Sequence, residues 1–244
     1  MKKYYYDLHL HSCLSPCGDD DSTPNNIAGM AMLNGLDIVA LTDHNSCKNC
    51  PAFFTAAKRY GIVPVAGTEL TTSEDIHVVC LFEKLEAAMD FDSDLQQHRM
   101  LIPNRTDIFG EQLILNGEDE VIGSDDYFLP NGTDISLEGV PKLVERYGGI
   151  AYPAHIDRQA NGVISVLGTF PETPYFSLAE LNDKNRIEEF REKYPILQGK
   201  TIIVSSDAHR LTDMRDKENF FELEDGQNNS ELVRSNLFNK LRAL

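Results

Sequence analysis

Short apolar runs alternate with amphipathic stretches along most of the chain. Residues 4–8, 38–41, 63–66, 77–82, 149–152, 177–181 and 201–205 read as strands. Between them, 25–33, 51–59, 85–97, 137–147, 186–192 and 230–240 carry apolar positions at helical spacing. Thr23-Pro24 has the form of a helix N-cap followed by Pro at the first helical position. Gly35, Gly61 and Gly148 stand where helices hand over to the next strand. Strand–helix alternation of this kind predicts an α/β fold with a largely parallel sheet, open or closed into a barrel. The rhythm breaks over residues 102–133. Residues 112–115, the Asn116-Gly117 pair and Val121-Ile122 predict a β-hairpin there. An excursion of this length is expected to be an insertion that serves as a lid or a binding loop.

The 244 residues suit one barrel-sized domain spanning 1–244, and 41% hydrophobic with 25% charged residues is the composition of a folded chain with a sizeable core. Lys and Arg number 22 against 39 Asp and Glu, a net charge of −17. That surface repels phosphate backbones and anionic membranes, so broad nucleic-acid binding is not expected. A small phosphate ester held by metal ions is compatible with it, because the ions dominate the local field. No apolar run approaches the roughly 18–20 residues of a membrane span. Residues 4–9 read as a first strand rather than a signal-peptide core. Five cysteines, an odd number, suggest a reducing compartment, the cytoplasm. Cys13, Cys17, Cys47 and Cys50 follow two of the motifs below, and would be either a thiolate zinc site, a disulfide pair or free thiols.

Six of the seven histidines fall at or just beyond predicted strands: His9, His11, His44, His77, His155 and His209. His98, in a polar helical stretch, reads as a surface residue. His9 and His11 stand two apart, which on an extended chain puts both rings on one face. Asp207 and His209 repeat the spacing, and Glu69 ends another strand. In a parallel barrel such strand ends converge on one mouth. Imidazoles and carboxylates gathered there suit Zn, Mn or Fe.

The motifs Asp7-Leu8-His9-Leu10-His11-Ser12, Leu41-Thr42-Asp43-His44-Asn45, Gly67-Thr68-Glu69, Pro153-Ala154-His155 and Ser206-Asp207-Ala208-His209, in this order, resemble those of the PHP (polymerase and histidinol phosphatase) family. The resemblance covers most of the chain outside the insertion. It implies a distorted (β/α)7 barrel, two or three divalent transition metals and phosphoesterase chemistry. By position it assigns His9, His11, Glu69 and Asp207 to a first metal and His44 and His209 to a second. Glu69, His77 and His155 fall to a third, with Glu69 bridging. One departure stands out. The family's opening motif places another ligand five residues after the second His, where this chain has Pro16, which cannot bind metal. Counting back from Thr23-Pro24 puts the missing carboxylate on Asp19, with Asp20 and Cys17 as the alternatives.

A multinuclear site of this type lowers the pKa of a bridging water, so that hydroxide can attack a phosphate in line. Arg158, three residues past His155, is the candidate catalytic cation, since a guanidinium can hold two phosphate oxygens at once. Arg99, Arg105 and Arg210 are weaker candidates for that task. Asp43 is expected to orient a ligand rather than bind metal. The expected substrate is a small phosphorylated metabolite or a nucleotide, and a histidinol-phosphatase-type activity is the alternative. Two further readings are an amidohydrolase, for which the lysine of a bridging carbamate is missing, and a non-catalytic metal-binding sensor.

Overall fold

The computed structural model describes residues 1–226 and 229–244. The first half runs β1 (Lys2–Asp7), α1 (Pro24–Leu33), β2 (Ile38–Leu41), α2 (Cys50–Tyr60), β3 (Val63–Thr71), β4 (His77–Phe82), α3 (Leu85–Leu95), α4 (Thr106–Phe109), β5 (Leu113–Leu115) and β6 (Val121–Ser124). The second runs α5 (Val140–Glu145), β7 (Ile150–Pro153), α6 (Val163–Leu167), β8 (Leu178–Leu181), α7 (Ile187–Lys193), β9 (Thr201–Val204), β10 (Phe220–Leu223) and α8 (Ser230–Arg242). Every predicted strand is present. At α1, Thr23 accepts a hydrogen bond from the Asn26 N–H and Pro24 opens the helix; α2 ends on Gly61 in the left-handed conformation. Among the described residues no helix is long and apolar enough to cross a membrane.

The sheet is not the parallel barrel the alternation suggests. Six strands pair in the order β10-β1-β2-β3-β4-β7, and β8 and β9 form a separate parallel pair. β1, β2 and β3 run parallel, β4 is antiparallel to both β3 and β7, and β10 is antiparallel to β1. Residues 72–76 alone separate β3 from β4. That is too short for the crossover of about a dozen residues that a parallel pair needs, so β4 returns as a hairpin. The result is a curled half-barrel whose ends are tied to β8 and β9 by loop hydrogen bonds. Past β7, the Ile156 N–H donates to Glu180 O (2.8 Å). Past β9, the Asp207 N–H donates to His9 O (3.0 Å), and the His11 N–H donates to Ala208 O (2.9 Å). β4's reversal has a direct consequence: its first residue, His77, lies at the same end as the last residues of its neighbours.

Both faces of the sheet are buried. One packs under the helices through Val39, Leu41, Phe53, Phe82 and Phe91. On the other, Tyr4, Tyr6, Leu8, Ile38, Ala40 and Tyr152 meet Val233, Leu237, Phe238 and Leu241 of α8. The polar strand ends are left at one rim.

The insertion holds the predicted hairpin, β5 pairing antiparallel with β6. It is stitched to the loops that follow β1, β2 and β3. The Leu113 N–H donates to Cys13 O, Asn49 bonds the main chain of Leu113 and Leu115, Asn45 donates to Leu129 O and Asn131 O, and the Thr133 N–H donates to Thr71 O. Asp125, buried, receives Lys48 Nζ at 2.6 Å and both terminal nitrogens of Arg99 at 2.9 and 3.0 Å. Burial alone would raise the Asp125 carboxyl, but the two cations hold it at about 2. The unfolded value is about 3.9, so this contribution is complete above that pH and disappears as the pH falls through about 2. Asp125→Asn is expected to cost about 1–2 kcal/mol at neutral pH, a deficit that fades towards pH 2. Denaturant melts at several pH values check it; equal midpoints at pH 7 would show that main-chain bonds alone hold the insertion.

All five cysteines are free. The Cys47 and Cys50 thiols both donate to Gly67 O, so the four-thiolate zinc site and the disulfide are not formed.

Candidate metal centre

The backbone delivers the site's side chains from the strand ends. His9 and His11 follow β1 and bring their Nε2 atoms to 3.2 Å of each other, both rings fully buried. Glu69, inside β3, is the hub. Its Oε1 lies 2.8 Å from His77 Nδ1, 2.9 Å from His155 Nε2 and 3.3 Å from His9 Nε2. Its Oε2 lies 3.0 Å from His44 Nδ1 and 3.4 Å from His11 Nε2. One carboxylate thus touches five imidazoles. Asp207 Oδ1 closes the far side, 3.1 Å from His11 Nε2 and 3.3 Å from His9 Nε2. The His209 ring stacks on His11 with centroids 4.1 Å apart. His155 and Asp207 have φ of 26° and 53°, a left-handed backbone that non-glycine residues adopt at some cost and that is concentrated at functional sites.

The donor atoms fall into groups that could each surround one ion: His9, His11, Glu69 and Asp207; His11, His44 and His209; His44, Glu69 and His77. His155 stands beside the last group, its Nε2 3.3 Å from His77 Nδ1 and 2.9 Å from Glu69 Oε1. Of the nine predicted ligands the structure gathers eight. Asp19 is not among them: it is exposed, its Oδ1 accepts the Asp21 N–H, and only its main chain touches the site, donating to His209 O. Asp20 is likewise exposed. Of the three alternatives, Cys17 is the one whose side chain interacts with the cluster, by a hydrogen bond to His44.

Residues around the cluster fix which nitrogen faces inward. Asp43 accepts from the Ser12 N–H, the Ser12 hydroxyl and the Ser15 hydroxyl. Ser15 Oγ, with its proton on Asp43, accepts from His11 Nδ1–H at 2.9 Å, which leaves the His11 Nε2 lone pair pointing to the centre. Asp43 therefore acts through Ser15. His209 Nδ1–H donates to Asp207 O (3.0 Å), with the same result. For His9, the partner is Glu180, whose Oε1 lies 2.8 Å from Nδ1. The sequence reading passed over Glu180. Its signal was a carboxylate in the otherwise apolar Leu178-Ala179-Glu180-Leu181 strand, where it is fully buried.

Burial pushes the His9, His11, His44, His77 and His209 rings towards the neutral form, and the carboxylates oppose it. His9 ends well above the ordinary histidine value because Glu180, Asp207 and Glu69 outweigh burial; His11 and His44 end at about 9. His209, without so close a carboxylate, is driven down to about 3 by burial and by His11. Burial would raise Glu69, but His77, His9 and His44 hold it well below the usual carboxylate range. Buried ring nitrogens face one another, and His44 Nδ1, His155 Nδ1 and Asp207 Oδ1 lack an aligned hydrogen-bond partner. Such a convergence of lone-pair donors fits divalent cations, which satisfy them together.

Arg158 sits at the rim, half exposed, with Nη1 2.5 Å from Asp207 Oδ2. The other arginines considered are placed differently: Arg99 is committed to Asp125, and Arg105 pairs with Asp107 on the surface. His98 is at the surface, as expected, bonded to Asp134.

Comparison with known proteins bears on the same residues. Residues 7–123 match the PHP domain family. A 5'-3' exoribonuclease of Haemophilus influenzae is 32% identical over 112 residues, which is 44% of this chain and 39% of the exoribonuclease. An error-prone DNA polymerase of Nocardia farcinica is 40% identical over 67 residues, 28% of this chain and 6% of the polymerase. The chain thus matches less than half the length of these curated relatives. Among solved structures, a lesion-specific endonuclease of Pyrococcus furiosus superposes with a TM-score of 0.63 at 16% identity, over 96% of this chain and 55% of that one. A Bifidobacterium adolescentis protein described as a metal-dependent phosphoesterase superposes with a TM-score of 0.55 at 18% identity, over 96% of both. At such identities the likeness is one of fold. The family match spans the segment that supplies His9, His11, His44, Glu69 and His77, and over residues 7–123 the chain is similar to the PHP domain family.

Proposed function

We propose that the protein is a metal-dependent phosphoesterase that hydrolyses a small phosphate ester or nucleotide. The observation that carries the reading is the buried Glu69 hub, one carboxylate within 3.4 Å of five imidazoles, with Asp207 beside it. In this reading His9, His11, Glu69 and Asp207 hold one ion, His44 and His209 a second, and Glu69, His77 and His155 a third. Divalent ions bound there supply Lewis-acid charge and an activated water near neutral pH. The chain's own groups do the rest. Ser15, Glu180 and the Asp207 carbonyl keep the imidazoles in the ligating tautomer. Arg158, at the solvent side of Asp207, holds the phosphate oxygens that the ions leave free.

A net charge of −17 favours a small ester over a long polyanion. The exoribonuclease and endonuclease among the similar proteins favour a second reading, hydrolysis of a phosphodiester in a nucleic-acid strand. Manganese- or zinc-loaded protein tested on aryl phosphate mono- and diesters, nucleoside monophosphates, histidinol phosphate and short RNA and DNA strands separates them. Release of phosphate from a small ester, with oligonucleotides left intact, is the expected result. Strand shortening without small-ester turnover would establish the second reading. Two bound ions with no turnover at all would make the protein a metal-binding module.

A further inference from the structure

Glu180 does more than hold one histidine. Its Oε1 accepts from His9 Nδ1–H at 2.8 Å and also from the main-chain N–H of His155 at 3.1 Å. The next N–H, that of Ile156, donates to the main-chain oxygen of Glu180 at 2.8 Å. Two consecutive amides of the turn after β7 therefore end on this one residue. That turn carries the left-handed His155, whose ring reaches Glu69 Oε1 at 2.9 Å. Glu180 is fully buried, and its Oε2 has no hydrogen-bond partner. A main-chain turn alone could be held by a serine or asparagine. A glutamate buried with one oxygen unpartnered is costly, and what it adds is reach to His9.

We infer that Glu180 is a positioning residue that sets two metal positions at once, the His9 ring of one and the His155 backbone of another. This role rests on the metal centre read above, not on the substrate. It explains why ligands from β1 and β7, which are not paired strands, keep a fixed spacing: both are referred to the same oxygen. Outer partners of ligating histidines typically change metal affinity about 10–100-fold when altered.

The test is metal retention by the full chain at fixed free Mn2+, by elemental analysis, with the visible spectrum of the Co2+-loaded protein as a second readout. Glu180→Gln keeps an acceptor of the same length and should weaken binding about tenfold, with the fold intact by circular dichroism. Glu180→Leu should lose about 100-fold and leave one ion, that of His44 and His209. A merely structural role would instead lower all ions together with the melting temperature and leave the Co2+ spectrum of the bound fraction unchanged, which overturns the inference. Should the Leu variant not fold, the Gln variant decides: wild-type affinity and an unchanged Co2+ spectrum overturn the assignment. Wild-type protein that takes up no ion overturns the centre itself, and this role with it.

Discussion

Glu69→Gln should empty the centre and lower ester turnover by at least about 10³-fold, beyond the 10²–10³ typical of removing one charge-stabilising donor. The reason is geometric. Both Glu69 oxygens lie within 3.4 Å of imidazole nitrogens of five histidines on four separate segments, so no other residue can replace its charge without moving several strands. An amide at this position has one acceptor where the carboxylate has two, and its NH₂ group would face His44 or His77. It also removes the negative charge that holds several buried imidazoles together. Elemental analysis and turnover of an aryl phosphate check the prediction together. Two ions retained with activity within tenfold of wild type would remove Glu69 from the bridging position.

The second large effect concerns Arg158. Arg158→Ala should lower kcat/KM about 10²–10³-fold while the metal content stays near wild type. Its Nη1 contacts the outer oxygen of Asp207, on the far side of that carboxylate from His9 and His11, so the guanidinium is held at the mouth without entering the ligand set. Arg158→Lys should restore little, since an ammonium cannot offer two parallel donors to a phosphate. Wild-type kinetics in the alanine variant would remove the residue from substrate binding. Loss of a metal ion would show that it supports Asp207 instead.

Much of the centre was legible in the sequence because strand ends and i, i+2 spacing carry geometric meaning. His9 and His11 needed only an extended chain to share a face, whereas Asp207 and His209 meet the centre through a left-handed Asp207 that spacing does not show. His77 was legible from its place at a strand end, though at the opposite end from the others: it opens its strand instead of closing it, and it reaches the mouth because β4 runs backwards. That reversal was readable in the short connection between β3 and β4, and was missed because alternation elsewhere suggested parallel pairing. β10 was missed for a different reason. Its four residues alternate exposed and buried in a charged stretch, and their pairing with β1 is a property of the fold rather than of the segment. Glu180 was hidden for want of any local motif: its partners lie 171 positions away at His9 and 25 away at His155. The loop after His11 kept its ambiguity because Cys17, Asp19 and Asp20 stand close together in sequence, and spacing alone does not say which one turns inward.

The hydrogen bonds that join Asp207 and Ala208 to His9 and His11 also fix when the protein can become active during its synthesis. A nascent chain exposes His9, His11 and Glu69 early, but Asp207 emerges 198 positions after His9. Contacts of such sequence separation form late and slowly. Until they form, the early histidines are a loose pair open to any passing thiophilic or imidazole-seeking ion. Ions bound at the closed centre would stabilise the whole chain by mass action, since only the closed form offers the full donor set.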